Sequence, residues 1–404
     1  MADRFTEVRL GELAYFEMGQ SPSSTYVSED EIGLPFLQGN AEFGAIFPTP
    51  KSYCSQPKKM CEPGDILISV RAPVGDLNKA DQTYVIGRGL AAIRFAEIPP
   101  GFGWHLLNYW TRDLDRVAQG TTFKAISKGD LNALEVLLPP LSEQRRIAEI
   151  LDAADEAIRQ TERVIAKLLE VKQGLLHDLL TRGLDANGNL RGPDAHPEQF
   201  KDSPLGRIPR RWEVSTIRSC IEFITDYRGK TPPYSSEGIP AISAENIGDG
   251  RVKSITKYVT PEVYRSWLTR GYPLSDDVIF TTEAPVGEVA LVPGDQTYLL
   301  TRRLMALRPD TTILRKHFLY WVLLRLKQLK MWGAFTHGST VPRILKPDLL
   351  ERQIPLPEIR EQDAIVSILD AHGARIRAEE ATLDKLRHIK RGLMDDLLTG
   401  RVRV

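Results

Sequence analysis

The sequence predicts an α+β protein: two similar mixed α/β domains separated by two long helices that pair within the chain as an antiparallel coiled coil. Two observations carry this. A helical stretch occurs twice, as EQRRIAEILDAADEAIRQTERVIAKLLEVKQGLLHDLLT from Glu143 to Thr181 and as EQDAIVSILDAHGARIRAEEATLDKLRHIKRGLMDDLLT from Glu361 to Thr399. The copies align without a gap at an offset of 218 residues, and roughly half of the positions are identical. The residues ahead of each copy replay one set of strand and turn signals. Repetition at this scale sets architecture before any single motif does.

Each copy holds a heptad. Ile147, Leu151, Ala154, Ile158, Thr161, Ile165, Leu168, Lys172, Leu175 and Leu179 advance by alternating fours and threes, and Ile365, Leu369, His372, Ile376, Glu379, Leu383, Leu386, Lys390, Leu393 and Leu397 hold the same places. A seam of about five heptads indicates a coiled coil. Thr161/Glu379 and Lys172/Lys390 interrupt it at matching positions, as register-setting polar residues do. At 1.5 Å per residue each helix is roughly 55 Å long. The competing reading is a homodimeric zipper, but two matched copies in one chain favour intramolecular pairing.

The pattern divides the chain into a first domain (1–142), a central helical region (143–183), a linker (184–211), a second domain (212–360) and a C-terminal helical region (361–404). In the first domain, strands are predicted at Asp65–Val70, Leu90–Phe95 and Val136–Leu138, each bounded by turn residues, and a helix at Trp104–Val117. Pro139-Pro140 precede the long helix, with Ser142 as its expected N-cap. The linker, LDANGNLRGPDAHPEQFKDSPLGRIPRR, is dense in Gly, Pro, Asn and Asp and reads as an extended or turn-rich connection. From Trp212 the first domain is replayed. Gly19-Gln-Ser-Pro22 returns as Gly229-Lys-Thr-Pro232, Ala72-Pro-Val-Gly75 as Ala284-Pro-Val-Gly287, Asp81-Gln-Thr-Tyr84 as Asp295-Gln-Thr-Tyr298, and Ile126-x-Lys128-x-Asp130-Leu131 as Ile344-x-Lys346-x-Asp348-Leu349. Segments between these, such as Phe36–Glu62 against Ala241–Asp276, share little in sequence or length. Two copies of one scaffold thus carry different loops, and loops on a rigid frame are where binding residues concentrate. A separator of roughly 55 Å suits a ligand in two parts, and spans a little more than one turn of duplex DNA.

Composition narrows the class. The chain has 404 residues with 53 basic and 53 acidic side chains, 42% hydrophobic and 26% charged. No apolar run is long enough to span a membrane, and MADRFTEVRLGE is too polar for a signal peptide, so a cytoplasmic protein is expected. Cys54, Cys61 and Cys220 form neither a disulfide framework nor a zinc spacing and read as packed thiols. Zero net charge counts against indiscriminate nucleic-acid binding. From Met1 to Leu138 there are 13 Lys/Arg against 17 Asp/Glu, and from Trp212 to Pro342 there are 16 against 13. The first half therefore looks in need of a partner's help on DNA.

Catalytic motifs fail on inspection. Gly229-Lys230-Thr231 ends like a phosphate-binding loop, but Ile224 stands where its first glycine belongs. Thr231-Pro-Pro-Tyr234 is similar to the Asn/Asp/Ser-Pro-Pro-Tyr/Phe motif of amino-methyltransferases, but Thr lacks the side-chain carbonyl, and no glycine-rich turn for S-adenosylmethionine precedes it. The seven histidines are scattered, and His372 on the seam reads as a satisfied structural residue. The sequence points to binding rather than catalysis.

Over nearly its whole length the chain resembles the specificity subunit of type I restriction–modification systems, the HsdS family. The resemblance rests on Leu137-Leu-Pro-Pro-Leu-Ser-Glu-Gln144 leading into Ile150-Leu-Asp152, on Gly174-Leu-Leu-His-Asp-Leu-Leu-Thr181, and on the second set, Ile354-Pro-Leu-Pro-Glu-Ile-Arg-Glu-Gln362 with Gly392-Leu-Met-Asp-Asp-Leu-Leu-Thr399. Phe200–Pro209 followed by Trp212 is similar to the family's approach to its second domain. The resemblance implies two target-recognition domains, each reading one half of a split double-stranded DNA target, and a coiled coil that sets the spacer. It also implies docking of two methyltransferase subunits on that coiled coil, which restriction subunits can join. S-adenosylmethionine, ATP and magnesium would belong to those partners, with no cofactor in this chain.

By position, the first domain's DNA-binding candidates are Gln20, Ser24, Tyr26, Gln38, Asn40, Arg71, Arg88, Thr122, Lys124 and Lys128. Those of the second are Tyr227, Arg228, Lys230, Tyr234, Glu245, Asn246, Arg302, Arg303, Thr340, Arg343 and Lys346. Arg or Lys suits guanine, Asn or Gln adenine, and Glu can accept from cytosine. Arg159/Arg377 and Glu162/Glu380 mark the helix face expected to meet the methyltransferase subunits. Two alternatives remain open: the recognition subunit of another restriction system with a fused nuclease–methylase partner, and a cytosolic coiled-coil scaffold with no DNA function.

Overall fold

A computed structural model describes residues 5–118, 125–226, 231–333, 336–337 and 342–404, with the backbone alone for 112–118. By contacts the chain forms two units, Met1–Arg163 with Glu380–Val404, and Val164–Glu379. The long helices, Leu141–Leu179 and Ile359–Leu397, each contribute to both.

In the first unit a four-stranded antiparallel sheet runs in the order Ala14–Met18, Leu90–Phe95, Ile66–Ser69, Leu77–Lys79. Ile66–Ser69 is buried along its whole length, which is why its sequence shows a continuous apolar run instead of alternation. A second, five-stranded sheet contains a parallel pair, Leu34–Leu37 beside Tyr84–Ile86, with Phe36 opposite Val85. Thr6–Arg9 pairs with Glu135–Leu138. The helix Pro100–Ala118 follows, and Leu10, Phe16, Ile68, Ile93, Leu107 and Leu131 close the core.

The second unit repeats the four-stranded sheet, the parallel pair and the closing strand pair, but its second sheet has three strands where the first has five. Its four-stranded sheet is Ile221–Asp226, Leu304–Pro309, Val278–Thr281, Val289–Leu291. Its parallel pair is Ile239–Ile242 beside Leu299–Leu300, with Ala241 opposite Leu299. Glu213–Thr216 pairs with Gln353–Leu356, and the helix is Lys316–Gln328.

The repeated motifs are frame chemistry. Asp65 and Asp277, both almost wholly buried, hold Arg94 at 2.7 Å and Arg308 at 2.8 Å. Ser69 donates to Pro73 O and receives from Asp76 N, and Thr281 does the same with Pro285 and Glu288, which ties down both Ala-Pro-Val-Gly turns. The Tyr84 and Tyr298 hydroxyls donate to Asp81 and Asp295. Cys54, Cys61 and Cys220 are buried free thiols, and burial pushes Cys61 up to about 11.

Burial along the long helices follows the predicted heptad. None of the twenty seam residues is exposed, and Ile147, Leu151, Leu168, Leu179, Ile365, Leu369, Ile376, Leu383 and Leu397 are buried. The direction is antiparallel within each unit. In the first, Asp155 meets Lys390 at 2.5 Å, and the later Glu162 meets the earlier Arg387 at 2.8 Å. In the second, His372 Nε2 donates to Leu168 O at 2.8 Å, so this histidine is satisfied structurally. Lys172 lies over the Trp321 ring. The polar seam positions thus have specific partners.

The repeated Glu-Gln opening of each helix is explained by packing. Gln144 donates to Pro139 O and Gln362 to Pro357 O, satisfying carbonyls at the strand-to-helix corner. Glu143 binds Arg403 at 2.7 Å, and Glu361 binds Arg191 at 2.6 Å and accepts from Leu184 N. Each glutamate therefore grips the segment that follows the other long helix. A third pair of anchors joins each domain to its helix: His105 Nε2 lies 2.9 Å from Asp152, and His317 Nδ1 lies 2.6 Å from Asp370, which also accepts from Trp321.

Two expectations need correction. Ser142 is not the N-cap. The helix begins at Leu141, and Pro140 O already accepts from Glu143 N and Gln144 N. The linker is more ordered than its composition suggests, because Phe200–Ser203 and Gly206–Pro209 form a hairpin that buries Phe200 and Ile208. The segments after Phe36 and Ala241, unlike in sequence and length, begin with a common local structure. Both parallel strands run into a short 3-10 turn, Asn40–Glu42 and Ala244–Asn246, closed by a side chain returning to the backbone of the residue before it.

Candidate nucleic-acid interface

In each domain the parallel strand pair delivers two chain segments to one mouth. In the first domain these are Gln38–Asn40 and Gly87–Gly89, with Gly19–Ser21 lying across them. Gly19 packs so closely on the Gly87 carbonyl that any side chain would collide. Gln38 donates to Ser21 Oγ at 3.0 Å, and Ser21 Oγ receives from Arg88 N at 3.2 Å. Asn40 donates to Asp76 at 2.6 Å. Gln20, Gln38, Asn40 and Arg88 are therefore gathered around one mouth, with Gln20, Gln38 and Arg88 exposed. Arg71 is exposed and its backbone pairs with Ala125. Ser24 and Tyr26 stand on an exposed 3-10 turn. Lys128 opens the helix Lys128–Ala133 and lies over the Tyr15 ring.

In the second domain the corresponding mouth is a cleft of about 380 Å³ lined by Tyr234, Glu245, Arg302 and Arg303 together with Thr231, Ser243 and Lys257. Lys257 binds Glu245 at 2.5 Å and lies over the Tyr234 ring. The Lys257 and Ser243 hydrogen bonds hold the Glu245 carboxyl below the usual carboxylate range. Arg303 adopts a φ of 76°, a left-handed conformation uncommon for a residue with a side chain, and its guanidinium lies 3.1 Å from Glu283. Arg343 is exposed, with its backbone paired to Glu283 and His337. Lys346 lies 4.0 Å from Asp226.

Asn246 is 8% exposed; its Oδ1 accepts from Ser243 and its Nδ2 donates to Ser254 O, so its amide braces the turn. Thr122, Lys124, Tyr227, Arg228, Lys230 and Thr340 lie outside the described residues. On the helices, Glu162 is engaged by Arg387, Arg159 is half-buried and pairs with Glu156, Arg377 is exposed and Glu380 half-buried. Sequence reasoning missed Lys257, Ser243, Glu283, Ser21 and Asp76. Glu283 was within reach, since it aligns with Arg71 one residue before the repeated Ala-Pro-Val-Gly. Lys257 was not, because it falls in the segment of unequal length.

The mouths combine cations, carboxylates and amides on rigid strand ends. That mixture suits recognition of base edges, which present both donors and acceptors. Among the described residues no helix is long and apolar enough to cross a membrane.

Comparison with known proteins agrees with this geometry. The type I restriction modification DNA specificity domain pattern matches twice, at residues 3–170 and 209–388. A putative type I restriction enzyme specificity subunit, MjaX, of Methanocaldococcus jannaschii is 42% identical over 178 residues, which is 43% of this chain and 42% of that protein. The MjaVIII specificity subunit of the same organism is 26% identical over 291 residues, 71% of this chain and 66% of that one. The matches thus span less than two thirds of these relatives' lengths. The crystal structure of a type I restriction–modification S subunit from M. genitalium superposes with a TM-score of 0.61 at 16% identity, covering 98% of this chain and 96% of that one.

Proposed function

The chain belongs to the type I restriction–modification DNA specificity family, and from that premise we propose that it is the specificity subunit of such a complex, reading a bipartite duplex target with one half-site per domain. The observation that carries the reading is the duplicated frame with dissimilar mouths: the same strands, turns and buried ion pairs recur, while the exposed side chains at the strand ends differ. A reader of one repeated sequence would need two equal mouths.

In this reading the subunit is non-catalytic alone and cytoplasmic. Two methyltransferase subunits dock on the outward helix face around Arg159, Glu162, Arg377 and Glu380, and restriction subunits join where the system has them. S-adenosylmethionine, ATP and magnesium serve those partners. Adenine methylation mapped in cells expressing the chain with its partner methyltransferase tests this. A split motif with a fixed gap is expected, and exchanging residues 1–142 for another member's domain is expected to change one half-site only. Absence of any sequence-dependent methylation or duplex retention by the complex would favour the scaffold reading. A single partner carrying both nuclease and methylase activity would favour the other restriction class.

A further inference from the structure

We propose that Arg88 and Arg302 are the matched base-reading residues of the two domains, each taking a guanine edge in its own half-site. This rests on the reading of the chain as a DNA specificity subunit. The pairing registers make the two positions equivalent. Val85 and Leu299 occupy the same place in the parallel pairs, and Leu90 and Leu304 lie opposite Ser69 and Thr281. Each arginine is therefore the middle residue of a three-residue crossing between the two sheets.

The crossing is clamped identically on both sides. Gly87 N donates to Leu37 O at 2.8 Å and Val70 N to Gly89 O at 2.9 Å; Thr301 N donates to Ile242 O at 2.9 Å and Thr282 N to Arg303 O at 2.8 Å. The backbone carrying each arginine is held at both ends while its side chain is exposed. A rigidly mounted side chain is what precise recognition requires. Among the described residues, neither guanidinium has a hydrogen-bond or ion-pair partner.

Several side chains around the two arginines have changed between the domains. Arg71 is replaced by Glu283, Ala125 by Arg343, Gly89 by Arg303 and Gln38 by Ser243. One cationic side chain kept amid such turnover has a task common to both mouths. The neighbours argue that the task is not phosphate binding. Asp76 stands at the first mouth, held by Asn40, and Glu245 and Glu283 at the second. Carboxylates repel a phosphate, whereas a guanidinium among acceptors can reach a base edge, and the bidentate Arg–guanine contact is the commonest specific one.

Selection from a randomised duplex library by the assembled complex tests this, using wild type, Arg88→Ala, Arg302→Ala and the two Arg→Lys variants. Wild type should enrich a split motif with a G·C pair in each half. Arg88→Ala should lose about ten- to a hundred-fold preference at one G·C position in one half-site, and Arg302→Ala at one position in the other half-site. The Lys variants should fall short of wild type because they lack the two-pronged geometry. An equal loss of affinity for all sequences, with the salt slope reduced by about one, would make these phosphate contacts and overturn the proposal. A wild-type motif left intact in every variant would also overturn it, while no wild-type motif at all would remove the DNA reading itself.

Discussion

The two domains share a frame but fasten and tune it differently. In the first, Asp65 holds Arg94, which is 40% exposed and also reaches Glu62 at 2.8 Å. In the second, Asp277 is shared by Arg308, at 19% exposure, and Lys316 at 3.0 Å, while an amide three residues earlier donates to the carboxylate in both domains, Glu62 N to Asp65 and Leu274 N to Asp277. The histidine anchors differ in the same sense. His105 is wholly buried, and burial depresses its basicity despite Asp152. The Asp370 hydrogen bond raises that of His317. The lesson is that a duplicated contact keeps its partner types more readily than its energetics, because the surroundings shift the ionisation of each group.

The largest effect should come from removing the buried carboxylates. Asp277→Ala removes the carboxylate shared by two cations, which keep the Tyr272 and Ser275 carbonyls, and is expected to cost about 3 kcal/mol. Asp65→Ala should cost clearly less, since Arg94 keeps Glu62 and water. Denaturant titration of each variant, followed by hydrogen exchange of its own four-stranded sheet, decides this, and equal losses would erase the distinction. Next in size is the seam. Leu151→Ala and its counterpart Leu369→Ala, both buried, should each cost about 2–5 kcal/mol, and a gap between them would show that one half of the coiled coil carries more of the load.

The anchors predict opposite pH responses. His317 has a raised folded value, so its contribution is fully present below the unfolded value of about 6.5 and is lost as pH rises through the folded one. His105 has a lowered folded value. Its contribution is present above about 6.5 and is lost as pH falls toward the folded one. Hydrogen exchange of the helices Pro100–Ala118 and Lys316–Gln328 between pH 5 and 8 should therefore trend in opposite directions, and His→Gln at either site should flatten its own trend alone. The smallest effect is expected at Glu162→Ala, about 0.2–1 kcal/mol, because its pair with Arg387 is exposed. A larger cost would give that pair a structural weight its exposure does not suggest.

Much of the frame was legible because its chemistry is local. The heptad shows in the burial of Ile147 and Leu151, and the strand Leu90–Phe95 stands where its apolar run placed it. The turn motifs were visible because Ser69/Thr281 and Tyr84/Tyr298 need partners a few residues away. The histidine anchors were hidden by spacing: Asp152 and Asp370 are 218 residues apart, but His105 and His317 only 212. Tyr234, Glu245, Arg302 and Arg303 were identified one by one from residue type, and only the fold brings them to one cleft. Asn246 stood among the candidates by residue type, and the fold shows its amide bracing a turn, an engagement that burial reveals and sequence does not.

The seam contacts carry one more consequence. Lys390 is the counterpart of Lys172, and His372 that of Ala154. The contacts Asp155–Lys390 and Leu168–His372 are therefore two views of one relation, in which the stretch near residue 155 meets the stretch near residue 170. A surface that answers itself in this way is isologous, the property that generates two-fold symmetric dimers. Residues 1–183 by themselves would carry both faces of such a contact. Expressed alone, they are expected to associate in pairs, with two identical mouths related by a two-fold axis.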